Sequence, residues 1–244
     1  MKQSLFTVTQ NEHLTESVMK MRLQGDTSAI TAPGQFINIT IDGLFLRRPI
    51  SVFDRDEEAV TIIYKIVGKG TEKMSEMPAG TVLDVLTGLG NGYDMTVAGE
   101  KPLLIGGGVG VPPMYMLAKE LKKMGKDVSV ILGFNTQSEI FCEQDFKDLG
   151  CNVTVTTADG SYGVKGFVTA GMDIDYTYFY TCGPEPMLKS VYAKAVTGGQ
   201  FSFEERMGCG FGACMGCSCK TVTGYKRICK DGPVLRKEEI LWEK

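Results

Sequence analysis

The sequence predicts a three-part chain of multidomain β plus α/β class. An antiparallel β-barrel over 1–97 is followed by a parallel-sheet α/β domain over 98–198 and a small cysteine-rich domain over 199–244. Three observations carry this. Short β-rich runs broken by turn residues fill the first part, which is the spacing of a small barrel. Apolar strands alternate with helical stretches through the second, and that alternation implies parallel pairing. In the third, Cys209, Cys214, Cys217 and Cys229 follow C-x4-C-x2-C-x11-C, the plant-type ligand spacing of a [2Fe–2S] cluster.

The barrel strands are expected at 4–8, 36–41, 50–53, 60–66 and 82–86. Pro33-Gly34, Asp42-Gly43, Pro78-Ala79-Gly80 and Gly90-Asn91-Gly92 mark turns between or after them. Near Gly99-Glu100-Lys101-Pro102 the pattern changes. The apolar run 103–105 enters the string 106–113, GGGVGVPP. A helix then carries Leu117, Leu121 and Met124 on one face and Lys119, Glu120, Lys122 and Lys123 on the other. Buried strands are expected at 128–132, 152–156 and 176–181, with a further helix at 186–196. No repeat or low-complexity tract interrupts this order.

With 244 residues and 43% hydrophobic content the chain can bury a full core. Its net charge of −3 is spread without a basic stripe, which argues against nucleic acid as a partner. The most apolar window, 103–118, is broken by four glycines and two prolines and is too short to span a bilayer, so no membrane partner is expected. Met1-Lys2-Gln3-Ser4 runs straight into a strand pattern and does not resemble a signal peptide, which makes a cytoplasmic location the default expectation. Eight cysteines in such a chain read as ligands and reduced core thiols rather than disulfides.

The cluster reading has a physical basis beyond spacing. Three of the thiols come from one loop of small residues, 208–217, whose glycines can take positive φ and turn N–H groups toward the sulfurs. Zinc also binds four thiolates, but its sites usually show two separated knuckles rather than three ligands crowded in one loop. The strand–glycine–helix unit with Gly106, Gly107, Gly108 and Gly110 suits a pyrophosphate on backbone amides. Pro112 and Pro113 fall where a first helical turn tolerates proline. Val111 replaces the third glycine of the usual fingerprint, and a purely structural tight turn is the competing reading. The second strand of this domain ends in 133–139, GFNTQSE, without Arg or Lys for a 2′-phosphate, which leans toward NAD. In the barrel, Arg48 and Ser51 lie three residues apart across Pro49, and the turn 68–71, GKGT, offers amides and the Thr71 hydroxyl to phosphate. Each could be a solvated strand end. Together, ahead of a nucleotide fold, they favour a flavin.

These strings, with 88–92, GLGNG, and Cys182-Gly183-Pro184, resemble the ferredoxin–NADP reductase superfamily in motif and in order. With the four-cysteine loop at the C-terminal end, the whole chain is similar to the family of electron-transfer subunits of type B dihydroorotate dehydrogenase. The resemblance implies that Arg48, Pro49, Ile50 and Ser51 contact FAD and that Ile63, Tyr64 and Lys65 line it. Gly70 and Thr71 would bind its phosphates. Gly106 to Gly110 and the Cys182-Gly183-Pro184 turn would take NAD as electron acceptor, and the four cysteines would hold the cluster. It also implies an FMN-containing, dihydroorotate-oxidising catalytic partner, two of each chain, facing Phe211 and Met215, in pyrimidine biosynthesis.

No acid, base or nucleophile constellation is apparent, so no catalytic side chain is assigned and the chemistry belongs to the cofactors. Cys219 is a surplus thiol outside the ligand spacing. Cys142 and Cys151 read as core residues, and Cys182 reads equally as packing or chemistry. His13, the only histidine, reads as a surface residue. Two alternatives stay open: the small subunit of another flavin/iron–sulfur NAD(P)H oxidoreductase, such as a ferredoxin–NADP reductase or sulfide dehydrogenase, and a non-catalytic redox sensor.

Overall fold

Alternation along the first strands closes the barrel. The computed structural model describes residues 1–242. In it β1 (Lys2–His13), β2 (Val18–Gln24), β3 (Phe36–Ile39), β4 (Arg48–Arg55), β5 (Ala59–Lys65) and β6 (Val82–Leu89) close in the order β1-β2-β5-β4-β3-β6. Phe6, Val8, Met21, Leu23, Ile37, Ile39, Val60, Ile62 and Val85 fill the inside. Their neighbours at odd spacing point outward, as the two-residue period of a strand requires. On β3 that outward face carries Phe36 and Asn38. A short helix α1 (Lys69–Ser75) follows β5.

Two features of this half depart from the sequence reading. β2 was not foreseen, because VMKMRLQ is rich in Met, Lys, Arg and Gln, which have little intrinsic strand preference. Pairing with β1 and β5 fixes it as a strand and buries Val18, Met19, Met21 and Leu23. The 68–71 string is not an open turn: it starts α1, with the Thr71 side chain closing the first helical turn.

The second half is a seven-stranded sheet of β7 (Pro102–Gly107), β8 (Ser129–Phe134), β9 (Asn152–Thr157), β10 (Val164–Lys165), β11 (Tyr178–Cys182), β12 (Gly199–Ser202) and β15 (Val234–Arg236). Its order is β10-β9-β8-β7-β11-β12-β15. All neighbours are parallel except β12 and β15. Helices α2 (Pro112–Lys123), α3 (Glu143–Asp148) and α4 (Glu185–Lys194) cover it. Leu104, Val130, Leu132 and Tyr180 pack on the α2 side, while Leu103, Ile105, Ile131 and Phe179 pack on the other. Pro112 and Pro113 do open α2, and Leu117 and Leu121 are buried in it. Met124 is half exposed instead, because α2 ends just before it.

The strand order reverses between β7 and β11. In a doubly wound sheet ligands bind at such a switch point, beyond the carboxyl ends of the strands. The barrel is docked beside it through α2. Phe53 stacks on Tyr115 at 4.3 Å, and Lys119 bonds both Asp54 oxygens at 2.8 Å. A stacked pair of this kind contributes about 0.5–1.5 kcal/mol beyond its buried area.

Between β12 and β15 the chain leaves the sheet to form a lobe. Its only ladder is the ribbon β13 (Ser218–Thr221) with β14 (Gly224–Arg227). β12 and β15 anchor the lobe, since both lie in the large sheet. The connector 91–94 ties the three parts together: Tyr93 donates to the Thr181 carbonyl at 3.2 Å, Tyr180 to the Asp94 carbonyl at 3.0 Å, and Arg236 pairs with Asp94 at 2.9 Å. Among the described residues no helix is long and apolar enough to cross a membrane.

Candidate functional site

Expected site residues gather in three places: at the sheet switch point, on the barrel and in the lobe. At the sheet switch point, Cys182 is in register with Gly106, so the 106–110 string and the 182–184 turn meet. The approach is close. A Cβ at Gly110 would strike the Cys182 carbonyl, and one at Gly107 would strike the Met187 sulfur. Gly106 and Gly107 end β7, Gly108 and Gly110 form a single 3-10 turn, and α2 starts after Val111. The glycines at 106, 107 and 110 thus let these segments pack closely, while a Cβ at Gly108 would meet open space beside the α2 start. Burial pushes the Cys182 thiol up to about 12, which keeps it neutral. At the end of β8, Glu139 accepts from the Asn135 backbone and side-chain amides at 3.0 Å each, and this strand end holds a carboxylate where a 2′-phosphate would need a cation.

On the barrel, the adjacent arginines divide their work. Arg47 pairs with Asp84 at 3.0 Å, whereas the Arg48 guanidinium lies against Gly70 and donates to the Leu46 carbonyl. A side chain at Gly70 would displace that guanidinium. Arg48 and Gly70 are thus brought together, with Pro49, Ile50 and Ser51 continuing along β4. The Thr71 hydroxyl donates to the Gly68 carbonyl at 3.1 Å and accepts from the Val67 amide at 2.9 Å. That hydroxyl is therefore committed to the helix cap. Anion contact at this turn falls to backbone amides.

Lys65 is exposed, whereas Ile63 points away from the barrel interior but is 3% exposed, packed in one apolar cluster with Val18, Phe53 and Val111. Tyr64 departs from the expectation that its side chain lines a cofactor: strand alternation turns the ring into the barrel interior, where it is 2% exposed and donates to Asn11 at 3.2 Å.

In the lobe, Gly210 and Gly212 take φ of +80° and +92°, and Met215 takes +61°, a rare conformation for a residue with a side chain. This folds the loop back on its own sulfurs. The Ala213 and Cys214 amides point at the Cys209 sulfur at 3.2 and 3.4 Å, and the Cys229 amide points at the Cys217 sulfur at 3.4 Å. Burial works against the Cys209 thiolate. The Phe211, Cys214 and Ala213 amides together outweigh it and bring the thiol down to about 6. Burial and then the Cys217 sulfur push Cys229 up to about 12. The sulfurs thus associate as two pairs, Cys209 with Cys214 and Cys217 with Cys229. Among the described residues, no three His, Cys, Asp or Glu side chains gather round one ion position. Four thiols in two contacting pairs can supply two thiolates to each iron of a [2Fe–2S] rhomb.

Cys219 lies apart from the ligand pairs, lining a pocket with Phe203, Thr221 and Trp242. Cys142 and Cys151 are buried beside α3, as expected of packing residues, and His13 is exposed at the end of β1.

Two contacts across the seam escaped the sequence reading. Asn91 accepts from the Val234 amide at 3.2 Å and donates to the Asp231 and Val234 carbonyls at 3.2 and 3.0 Å, stapling the segment after Cys229 to the barrel. Asn38 donates to the Cys209 carbonyl at 3.2 Å. The 88–92 string was legible as a turn and as part of the family resemblance, but not in this contact role, and Asn38 gave no signal.

Comparison with known proteins agrees with this geometry. Residues 204–241 match the family described as iron-sulfur cluster binding domain of dihydroorotate dehydrogenase B, and 104–193 match the oxidoreductase NAD-binding domain. The chain is 42% identical to the dihydroorotate dehydrogenase B (NAD(+)) electron transfer subunit of Shouchella clausii, over 98% of each chain. It is 43% identical to the protein of that name from Fusobacterium nucleatum, over 96% of each. Among solved structures it resembles a chain of the NADH-dependent reduced ferredoxin-NADP oxidoreductase studied for electron bifurcation. The TM-score is 0.89 at 30% identity, covering 98% of this chain and 90% of that one.

Proposed function

The chain belongs to the family of dihydroorotate dehydrogenase B electron-transfer subunits, and on that premise we propose that it accepts electrons from a dihydroorotate-oxidising partner subunit carrying FMN and delivers them to NAD+. It is an oxidoreductase subunit whose groups are FAD, a [2Fe–2S] cluster and NAD. When bound, the flavin supplies the conversion between the cluster's single electrons and the nicotinamide's hydride.

The protein's own part is to bind and to orient. Arg48 would neutralise the FAD pyrophosphate beside the Gly70 and Thr71 amides, with Pro49, Ile50 and Ser51 presenting the strand edge to the ring system. Lys65 would flank it, and Ile63 and Tyr64, both buried, would contribute backbone only. Gly106, Gly107, Gly108 and Gly110 with Cys182, Gly183 and Pro184 would seat NAD at the switch point, and Glu139 would disfavour a 2′-phosphate. Cys209, Cys214, Cys217 and Cys229 would hold the cluster. Phe211 and Met215, 43% and 55% exposed beside those ligands, would meet the partner, two of each chain assembling. In these terms 1–97 is the flavin domain, 98–198 the NAD domain and 199–244 the cluster domain.

The observation that carries the proposal is the pairing of four thiols in a lobe hydrogen-bonded to the very strand layer that carries Arg48 to Ser51. The test is reconstitution. Purified chain with both groups loaded should reduce NAD+ with dihydroorotate only after the FMN subunit is added. A loaded chain that ignores that subunit and exchanges electrons only with ferredoxin would favour the reductase alternative.

A further inference from the structure

Asn38 is a polar side chain placed where an apolar one would pack without cost. Its neighbours Ile37 and Ile39 fill the barrel core, so Asn38 faces out on β3, in register with Pro49 of the Arg48–Ser51 string. Phe36, on the same face, packs in one cluster with Cys217 and Cys229. Asn38 is only 1% exposed. Its amide nitrogen donates to the Cys209 carbonyl at 3.2 Å, while its Oδ1 is buried without a hydrogen-bond partner. The reverse orientation would set two oxygens against each other, so the donor is assigned by the carbonyl it meets. Gly210, directly after Cys209, could carry no Cβ without striking the same amide. A half-satisfied buried amide is costly, and a leucine of similar size would avoid that cost.

We propose that Asn38 is a positioning residue: it fixes the cluster loop to the flavin strand and, by donating to the Cys209 carbonyl, sets the cluster's reduction potential and its rate of electron exchange with the flavin. The reading rests on Cys209 being a ligand. The physical reason is electrostatic. A carbonyl oxygen beside a cluster opposes the negative charge gained on reduction, and a donated hydrogen bond draws that field away. Loss of the donor therefore lowers the potential. It also frees the loop that carries Cys209 and Cys214 to drift from the strand.

The test compares wild type, Asn38→Leu and Asn38→Ser in the chain loaded with FAD and cluster. EPR of the reduced cluster and a potentiometric titration are run beside anaerobic stopped-flow with NADH, following flavin and cluster bleaching separately. In Asn38→Leu the flavin step should stay within about two-fold of wild type, while cluster reduction slows about five-fold or more and the reduced fraction falls correspondingly at a fixed potential. Its EPR g-values should move. Asn38→Ser, with space for a water to donate to Cys209, should lie between. Unchanged potential and EPR in Asn38→Leu would overturn the proposal, as would a flavin step that falls as far as the cluster step. If Asn38→Leu does not retain iron, Asn38→Ser is judged by the same criteria. A wild-type chain with no cluster signal would instead sink the ligand assignment, so the two failures are distinct.

Discussion

In the parallel sheet Leu103, Leu104, Ile105, Val130 and Phe179 are completely buried, and the inner strands are paired on both sides. The lobe between residues 203 and 232 is built differently. Its buried apolar side chains are Cys217, Ile228 and Cys229, two of them proposed ligands, and its only ladder is the β13–β14 ribbon. Those few side chains pack against Phe36 and the sheet, and polar contacts add to them: Arg227 paired with Asp231 at 3.0 Å and donating to the Gly212 carbonyl at 2.9 Å, with Asn38 and Asn91 reaching over from the barrel side. A sheet of this kind stands on hydrophobic burial. With the proposed cluster bound, metal–thiolate bonds would add to the stability of so small a lobe.

The largest effect should follow from removing a ligand. Cys217→Ser is expected to lose the cluster entirely, together with hydrogen-exchange protection across 204–233, while the barrel and sheet stay protected and NADH still bleaches the flavin. Cys219, turned into its own pocket, should not rescue it. Protection lost equally in sheet and lobe would erase the distinction between them. Next in size, Gly110→Ala drives a Cβ into the Cys182 carbonyl and should raise KM for NADH about ten-fold or more with the cluster spectrum unchanged. Kinetics of NADH–flavin reduction check this.

Smaller effects test the seams. Asn91→Ala removes three hydrogen bonds and should cost about 1–2 kcal/mol in the unfolding of the lobe, read by denaturant melts of the loaded chain. The smallest concerns pH. The Asp94 carboxyl is held below its usual range by the Thr96 hydroxyl first, against burial, and then by the Thr96 amide and Arg236. A folded value below the unfolded one gives stability that is complete above the unfolded value and is lost as pH falls through the folded one. Asp94→Asn should therefore flatten the loss of stability as the pH falls below about 4. An unaltered acid slope would show that this ion pair does not brace the connector.

Legibility in the sequence followed the range of the interaction. The cysteine loop was readable because ligand identity and spacing are local, and the 106–113 string because a strand, a tight turn and two prolines at a helix start are adjacent. β2 was not, because its strand state comes from pairing on both sides rather than from VMKMRLQ itself. α1 was hidden by the two glycines at its start, and the inward turn of Tyr64 depended on strand register. β12 and β15 are four and three residues long, too short to carry a period. Asn38 and Asn91 act on partners 171 and 143 residues away along the chain, a distance at which a single sequence holds no signal.

The proposed seating of a diiron centre on the four thiols is tested most directly by EPR on iron-replete, FAD-loaded chain reduced anaerobically with dithionite. One electron per chain should give a rhombic spin signal of a reduced [2Fe–2S] cluster, with two irons per chain and none of it left in Cys217→Ser. Iron-replete protein that stays EPR-silent, or that carries a single zinc on these cysteines, would contradict it.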